Sequence, residues 1–144
     1  MVIAARDIGV RELPGKATHP RIAEYYKHAH VDPESNDGDT SWCAAALSCW
    51  LDEAGYLSPN TARARKYLNW GDAIEQPRLG CIVVFSRGLP SNGQGHVALY
   101  CHPGSAGNIV VLGANQGNSV RFAERETARI LGYRWPRQLD RLTV

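Results

Sequence analysis

The apolar residues of this chain change their period near its middle. Up to about residue 75 they recur at spacings of three and four, whereas from residue 81 they fall in short runs rich in β-branched side chains. Ile3 to Val10 and His19 to His30 read as two short helices separated by Gly15. The second follows a Thr18 cap, carries Pro20 in its first turn and has Ile22, Tyr25 and Tyr26 to bury. Val31 to Asp39, with Pro33, Asn36, Gly38 and four acids, is loop chemistry that leads to Thr40 and Ser41, hydroxyl residues suited to cap a third helix. That helix, about Trp42 to Ala54, sets Trp42, Ala45, Ala46, Cys49 and Trp50 on one stripe and ends at Gly55, as the central helix of a core would. Thr61 to Leu68 reads as a shorter helix.

After the Pro77 and Gly80 punctuation the pattern is that of strands: Cys81 to Phe85, His96 to Cys101, Asn108 to Leu112, Ser119 to Phe122 and Arg129 to Arg134, joined by Gly-rich connectors that suit an antiparallel meander. Helices first and sheet second is an α+β arrangement. A length of 144 residues allows one domain, 1–144, with a helical part about 1–75 and a sheet part about 80–136, and leaves no room for a separate cell-wall-binding module. Unbroken apolar runs such as Ala44 to Leu47, Ile82 to Phe85 and Ile109 to Leu112 fall far short of the ~18 residues of a membrane span, so stable membrane insertion is not expected. Charge in Met1 to Asp7, where a secretory signal needs an apolar stretch, predicts a chain made in the cytoplasm without an export signal of its own.

A net charge of +2 is too mild to argue for nucleic acid, but its distribution is uneven. The first half carries 8 basic and 10 acidic residues and the second 8 and 4, with six arginines between Arg121 and Arg141. Such a segment is either a solvated basic face or a surface drawn to an anionic polymer. Four cysteines without a CxxC pair disfavour both a disulfide scaffold and a zinc ribbon. A strand pairing that sets Phe85 opposite Val97 would put Cys81 opposite Cys101, where a disulfide is geometrically possible, although a reducing cytoplasm keeps such thiols reduced. Asp32, Glu34, Asp37 and Asp39 suggest calcium, but an EF-hand loop starting at Asp32 would need Gly where Asp37 stands and Glu where Cys43 stands. No metal and no cofactor is expected.

Cys43 falls in the first turn of the central helix, where unsatisfied backbone N–H groups and the helix dipole favour a thiolate. Burial as a packing residue is the competing reading, since free cysteine is among the most buried side chains. His96 opens an apolar strand directly after a Gly/Asn/Ser loop, a place suited to a base at the mouth of a sheet. Nucleophilic catalysis also needs a group that holds the imidazole tautomer. Asn115, at the end of the next apolar run, is positioned for it, and Gln116 is its nearest rival, unless Gly113 to Asn118 is merely a turn.

Taken together, Asp39-Thr40-Ser41-Trp42-Cys43-Ala44-Ala45, Gly95-His96-Val97-Ala98-Leu99-Tyr100 and Leu112-Gly113-Ala114-Asn115-Gln116 resemble the CHAP-like branch of the NlpC/P60 cysteine peptidoglycan hydrolases, in particular its small phage-associated, endolysin-type members. Gly9 to Lys16, Ala62-Arg63, Tyr67 to Gly71, Val83 to Gly88 and Leu131 to Pro136 extend the likeness over nearly the whole chain. Two departures are Cys81, where the family usually has Asp after the Gly that opens the first strand, and Gly113-Ala114 for the usual Gly-Gly. The resemblance implies a papain-like fold that hydrolyses an amide bond of bacterial peptidoglycan, with Cys43 as nucleophile, His96 as base and Asn115 as orienting residue. Trp42 or Trp70 would line the substrate groove, unless they belong to the core. The enzyme would be a monomeric phage endolysin or virion-associated lysin, an endopeptidase or an N-acetylmuramoyl-L-alanine amidase, acting in the periplasm or wall after release from the host cytoplasm. A bacterial antagonism effector with the same chemistry, acyl transfer or deamidation on the same fold, and a non-catalytic wall-binding module are the alternatives. If the arginine-rich segment holds the protein to an anionic envelope, raising the salt concentration weakens its association with sacculi; salt-independent binding in a pull-down assay would count against that role.

Overall fold

A computed structural model describes residues 1–14, 18–32, 42–88, 91 and 93–137. Three α-helices come first, α1 (Val2–Arg6), α2 (Pro20–His28) and α3 (Cys43–Glu53), followed by a 3-10 helix, Ala64–Asn69. The strands are β1 (Asp72–Ile74), β2 (Ile82–Ser86), β3 (Gly95–Pro103), β4 (Asn108–Gln116), β5 (Ser119–Glu126) and β6 (Ile130–Trp135). They form one antiparallel sheet in the order β1-β6-β2-β3-β4-β5, so the chain is α+β. The expected meander runs from β2 to β5. It ends there, because β6 crosses back to pair with β2 and leaves β1, a three-residue strand the apolar pattern does not reveal, on the edge. Among the described residues no helix is long and apolar enough to cross a membrane.

Local chemistry explains most element ends. The cap of α2 is the imidazole of His19, not Thr18; its Nδ1 accepts from the Arg21 N–H at 3.0 Å, and Pro20 occupies the next position, where no N–H is needed. The stripe expected on α3 is in fact burial on every side, since all nine residues from Cys43 to Leu51 are buried. A helix can be apolar all round only when it is covered all round, and here α1 and α2 lie on one side and β3 and β4 on the other. Its single buried hydroxyl, Ser48, bonds Tyr67 Oη at 2.8 Å and the Thr61 carbonyl at 3.2 Å. The segment expected as a helix over Thr61 to Leu68 is a 3-10 turn instead, held from outside by Arg134, which donates to the Leu68 carbonyl through Nε and a terminal nitrogen at 3.1 and 2.8 Å.

The sheet is apolar on both faces. Ile82, Val84, Val97, Leu99, Leu112, Ala114 and Val120 pack with the helices, while Cys81, Val83, Phe85, Ala98, Tyr100, Ile109 and Val111 form a second cluster over which Ile74, Ile130, Tyr133 and Trp135 close. Register decides the cysteines. Val84 pairs with Val97 and Phe85 with His96, one residue away from the pairing that would oppose Cys81 and Cys101. Because alternate residues face opposite sides, that single step sends Cys81 into the second cluster and Cys101 against the helical one, and both remain thiols.

One carboxylate ties the helices together. Asp7, just after α1, accepts from Tyr25 Oη of α2 at 2.6 Å, Trp50 Nε1 of α3 at 2.8 Å and Arg21 Nε at 2.9 Å. Arg21 reaches on to Glu24 and to Glu53 at the end of α3, each at 2.6 Å. Replacing Asp7 by Ala strands two buried donors and removes one partner of a largely buried ion pair, so the Asp7→Ala variant should lose about 3 kcal/mol of stability in urea unfolding. A loss under about 1 kcal/mol would show that the network is incidental.

Candidate active site

His96, the second residue of β3, is 4% exposed, and its ring lies 5.9 Å from that of its cross-strand partner Phe85. Its Nε2 is 3.0 Å from Gln116 Oε1. The orientation of that amide is settled at its other end, where Gln116 Nε2 donates to the Arg121 carbonyl at 2.6 Å, a bond only the NH2 group can make. The oxygen therefore faces the imidazole, and the imidazole must present an N–H to it. With the proton on Nε2, the lone pair of neutral His96 is on Nδ1, as a general base requires.

The residue that holds His96 is thus Gln116 and not Asn115, and a β-bulge is the reason. In a regular strand, Gly113 and Asn115 would share a face and Ala114 and Gln116 the other. Asn115 instead takes a left-handed conformation, φ 56°, and the register with β5 shifts between Gly113 and Gln116. Ala114 packs with the helices, while Gln116 is turned toward His96 on the opposite side. Gly113 makes room for it: a Cβ there would lie 2.8 Å from Ala98 Cβ and 3.2 Å from Gln116 Cδ. The turn beyond, Gly117-Asn118, has φ 60° at both residues, the two-residue hairpin geometry that Gly and Asn tolerate best.

Cys43 is the first residue of α3, and it is 1% exposed in the core on the helical side. Arg125 contacts His96 and Gln116 and responds to the charge of Cys43. From β5 its guanidinium donates to Gln116 Oε1 at 3.3 and 3.2 Å and stands 3.4 Å from His96 Nε2, and an ionised Cys43 favours its charge. Burial, then Arg125, push the His96 pKa down to about 3, against the bond from Gln116, which raises it. His96 is therefore neutral at physiological pH. Burial pushes the thiols of Cys49, Cys81 and Cys101 upward, and Cys49 also donates to Glu53 Oε1 at 3.0 Å; these three are inert packing thiols.

The remaining candidates divide clearly. Trp42 and Trp70 are both buried in the helical core. Trp42 is 2% exposed, stacks on Tyr25 at 6.1 Å and donates to Glu12 at 2.7 Å; Trp70 is buried against Tyr67 and donates to the Leu57 carbonyl at 2.9 Å. Of the expected loop acids, Glu34, Asp37 and Asp39 lie outside the described residues, as do Thr40 and Ser41. Among the described residues no three His, Cys, Asp or Glu side chains gather where a metal ion could sit. An apolar cavity of about 510 Å³ opens near α1 and the second half of α3, lined by Leu47, Trp50, Leu51, Ile82 and Leu99 among others, and contains none of the candidate residues. From the sequence Arg125 reads as one member of a basic stretch and no more. The signal that distinguishes it is the alternation of β5, which sets Arg121 opposite Gly113 and Arg125 opposite Ile109, on the face of the second cluster. No family model matches the chain, and no curated protein matches it.

Burial of the imidazole gives stability a pH dependence of defined sign. Unfolded His96 takes up a proton near its usual 6.5, whereas the folded one refuses it until about 3. The unfolded state therefore binds more protons across that window, and this contribution to stability is complete above about pH 6.5 and lost as the pH falls toward 3, at up to about 1.4 kcal/mol per pH unit. In urea titrations at pH 7, 5 and 4, the stability difference between wild type and His96→Ala should shrink with acidity; a constant difference would show that His96 is accessible to protons in the folded state.

Proposed function

We propose that the protein is a papain-like cysteine hydrolase of an amide bond in bacterial peptidoglycan, with Cys43 as nucleophile, His96 as base and Gln116 as the residue that orients it. The observation that carries this reading is the Gln116 amide, whose fixed direction holds His96 in the tautomer with its lone pair on Nδ1. A histidine kept neutral, buried and tautomerically locked beside an arginine is costly to maintain for packing alone. In the proposed cycle His96 Nδ1 takes the Cys43 proton, the thiolate adds to the amide carbonyl carbon, and the C–N bond breaks as the imidazolium returns the proton to the departing amine. Water, deprotonated by His96, then cleaves the thioester to release the acid and restore the thiol. Backbone N–H groups in the first turn of α3 would stabilise the oxyanion.

Cys43 belongs to the helical core and His96 lies beside Phe85 of the second cluster, so in this reading the pair meets at the end of the sheet where β3 begins. Both side chains are buried. The same burial of Cys43 favours the second reading, a wall-binding module in which the thiol is packing. An enzyme of this kind would act on the wall as a phage lysin, as an endopeptidase or amidase.

Mass spectrometry of soluble products released from purified peptidoglycan tests the assignment. Wild type should release fragments with new amide-cleavage termini, and Cys43→Ala and His96→Ala should each reduce the rate at least about 100-fold. Gln116→Ala should lower kcat strongly, whereas Asn115→Gly, which suits the left-handed backbone at that position, should retain activity. Release that survives in Cys43→Ala, or binding to walls without release by the wild type, would favour the packing reading instead.

A further inference from the structure

The end of the sheet that carries His96 also gathers cations. Arg121 and Arg125 lie four residues apart on β5, both on the face of the second cluster, and Arg87 directly follows β2, its backbone N–H donating to the Gln94 carbonyl just before β3. Arg125 senses the charge of Arg87 and of Arg121, and His96 that of Arg125 and of Arg87, so the four side chains share one electrostatic neighbourhood. Arg121 lies over the Gly117 turn, where a Cβ would come within 2.9 Å of its guanidinium. Among the described residues no carboxylate pairs with Arg121 or Arg125, although Arg129 and Arg137, nearby in sequence, have Glu126 and Asp72. Glu12, brought to this end of the molecule by its N–H bond to the Asn118 carbonyl, is engaged with Trp42 Nε1. Burial, and the two neighbouring arginines, work against the charge on Arg125, while ionised Cys43 favours it. Its hydrogen bonds go to a neutral amide oxygen. A half-buried guanidinium so placed is stabilised by any anion that joins it.

We infer that Arg125 and Arg121, with Arg87 adding to the field, form an anion subsite beside the reacting pair that takes a free carboxylate of the substrate's stem peptide and sets the neighbouring amide against Cys43. This rests on the reading of Cys43 and His96 as the reacting pair. Arg125 is in contact with His96 and Gln116, so anion binding there also acts on the orientation of the base. The side chain of Arg121 is exposed on the strand, and only its backbone carbonyl, which a substitution leaves in place, holds Gln116, which makes it the cleaner probe.

Binding and turnover separate the two proposals. The Cys43→Ala protein is titrated calorimetrically, at low salt, with a muropeptide whose stem carboxylates are free and with the same muropeptide carboxamidated, which removes the charge and keeps the size. The free form should bind about tenfold tighter or more, and Cys43→Ala combined with Arg121→Gln should lose most of that preference. Arg125→Gln should lose it as well, with far-UV circular dichroism checking that the variant folds. In the otherwise wild-type protein the preference should appear in KM, and Arg121→Gln should raise KM for the free form with little change in kcat. Equal binding of the two forms, or binding of neither, would overturn the subsite. Selective binding with no hydrolysis by the wild type would leave the anion site standing and remove the hydrolase reading.

Discussion

The carboxylate of Asp7 is the point on which the helical half hangs. It is the acceptor for a phenol, an indole and a guanidinium from two other helices, and no neutral side chain of its size could satisfy all three. Arg21 carries the connection across to Glu53, so both the middle and the end of α3 are tied to α1 and α2. Polar groups buried without partners are expensive, which makes this arrangement directional in a way that apolar packing is not. Because α3 is itself buried on every side, fixing it against α1 and α2 also fixes its other side against β3 and β4. Cys43, the first residue of the helix, takes its position from these constraints at a distance of several turns.

The sheet supplies the second half of the site by a departure from regularity. A perfect β4 would carry Gln116 on the helical face with Ala114. One left-handed residue at Asn115 turns it toward His96, and the absence of a side chain at Gly113 leaves space for the amide to cross the strand. Gly117 and Asn118 then reverse the chain tightly enough that Arg121 offers its carbonyl to the far end of the same amide. Each of these residues is small or tolerant of positive φ, and together they make the direction of one hydrogen bond unambiguous.

Irregularity of this kind also marks the boundary of what is legible in the sequence. The helix-then-sheet order, five of the six strands, the burial of Ile22, Tyr25 and Tyr26 and the place of Cys43 at the start of the central helix follow from periodicity and punctuation, which are local properties. Period two carried across a bulge favours Asn115 over Gln116, and a bulge is set by pairing with β5 rather than by the residues of β4 alone. The same kind of error, one residue in strand register, places Cys81 opposite Cys101. The edge strand β1 has three residues and no alternation to betray it, and its existence depends on the return of β6, a long-range event. Arg125 is hidden by composition: it shares its sheet face with Arg121, and the two differ in that Arg125, opposite Ile109, is half-buried while Arg121 is exposed.

The electrostatics of the site follow from what that face excludes. His96 is too deeply buried, and too close to Arg125 and Arg87, to carry a positive charge at rest. A thiolate at Cys43 would therefore find its counter-charge in Arg125, which stays cationic near neutral pH because guanidinium loses its proton so reluctantly. In the proposed mechanism this would divide between two residues the work that an imidazolium does alone, with the arginine supplying charge and the neutral histidine the lone pair. A neutral base whose pKa burial pushes down is a weak proton acceptor in the resting state. An anionic group bound at Arg121 and Arg125 would offset part of the arginine field on an imidazole that burial still keeps neutral, while the same contact holds the amide in position.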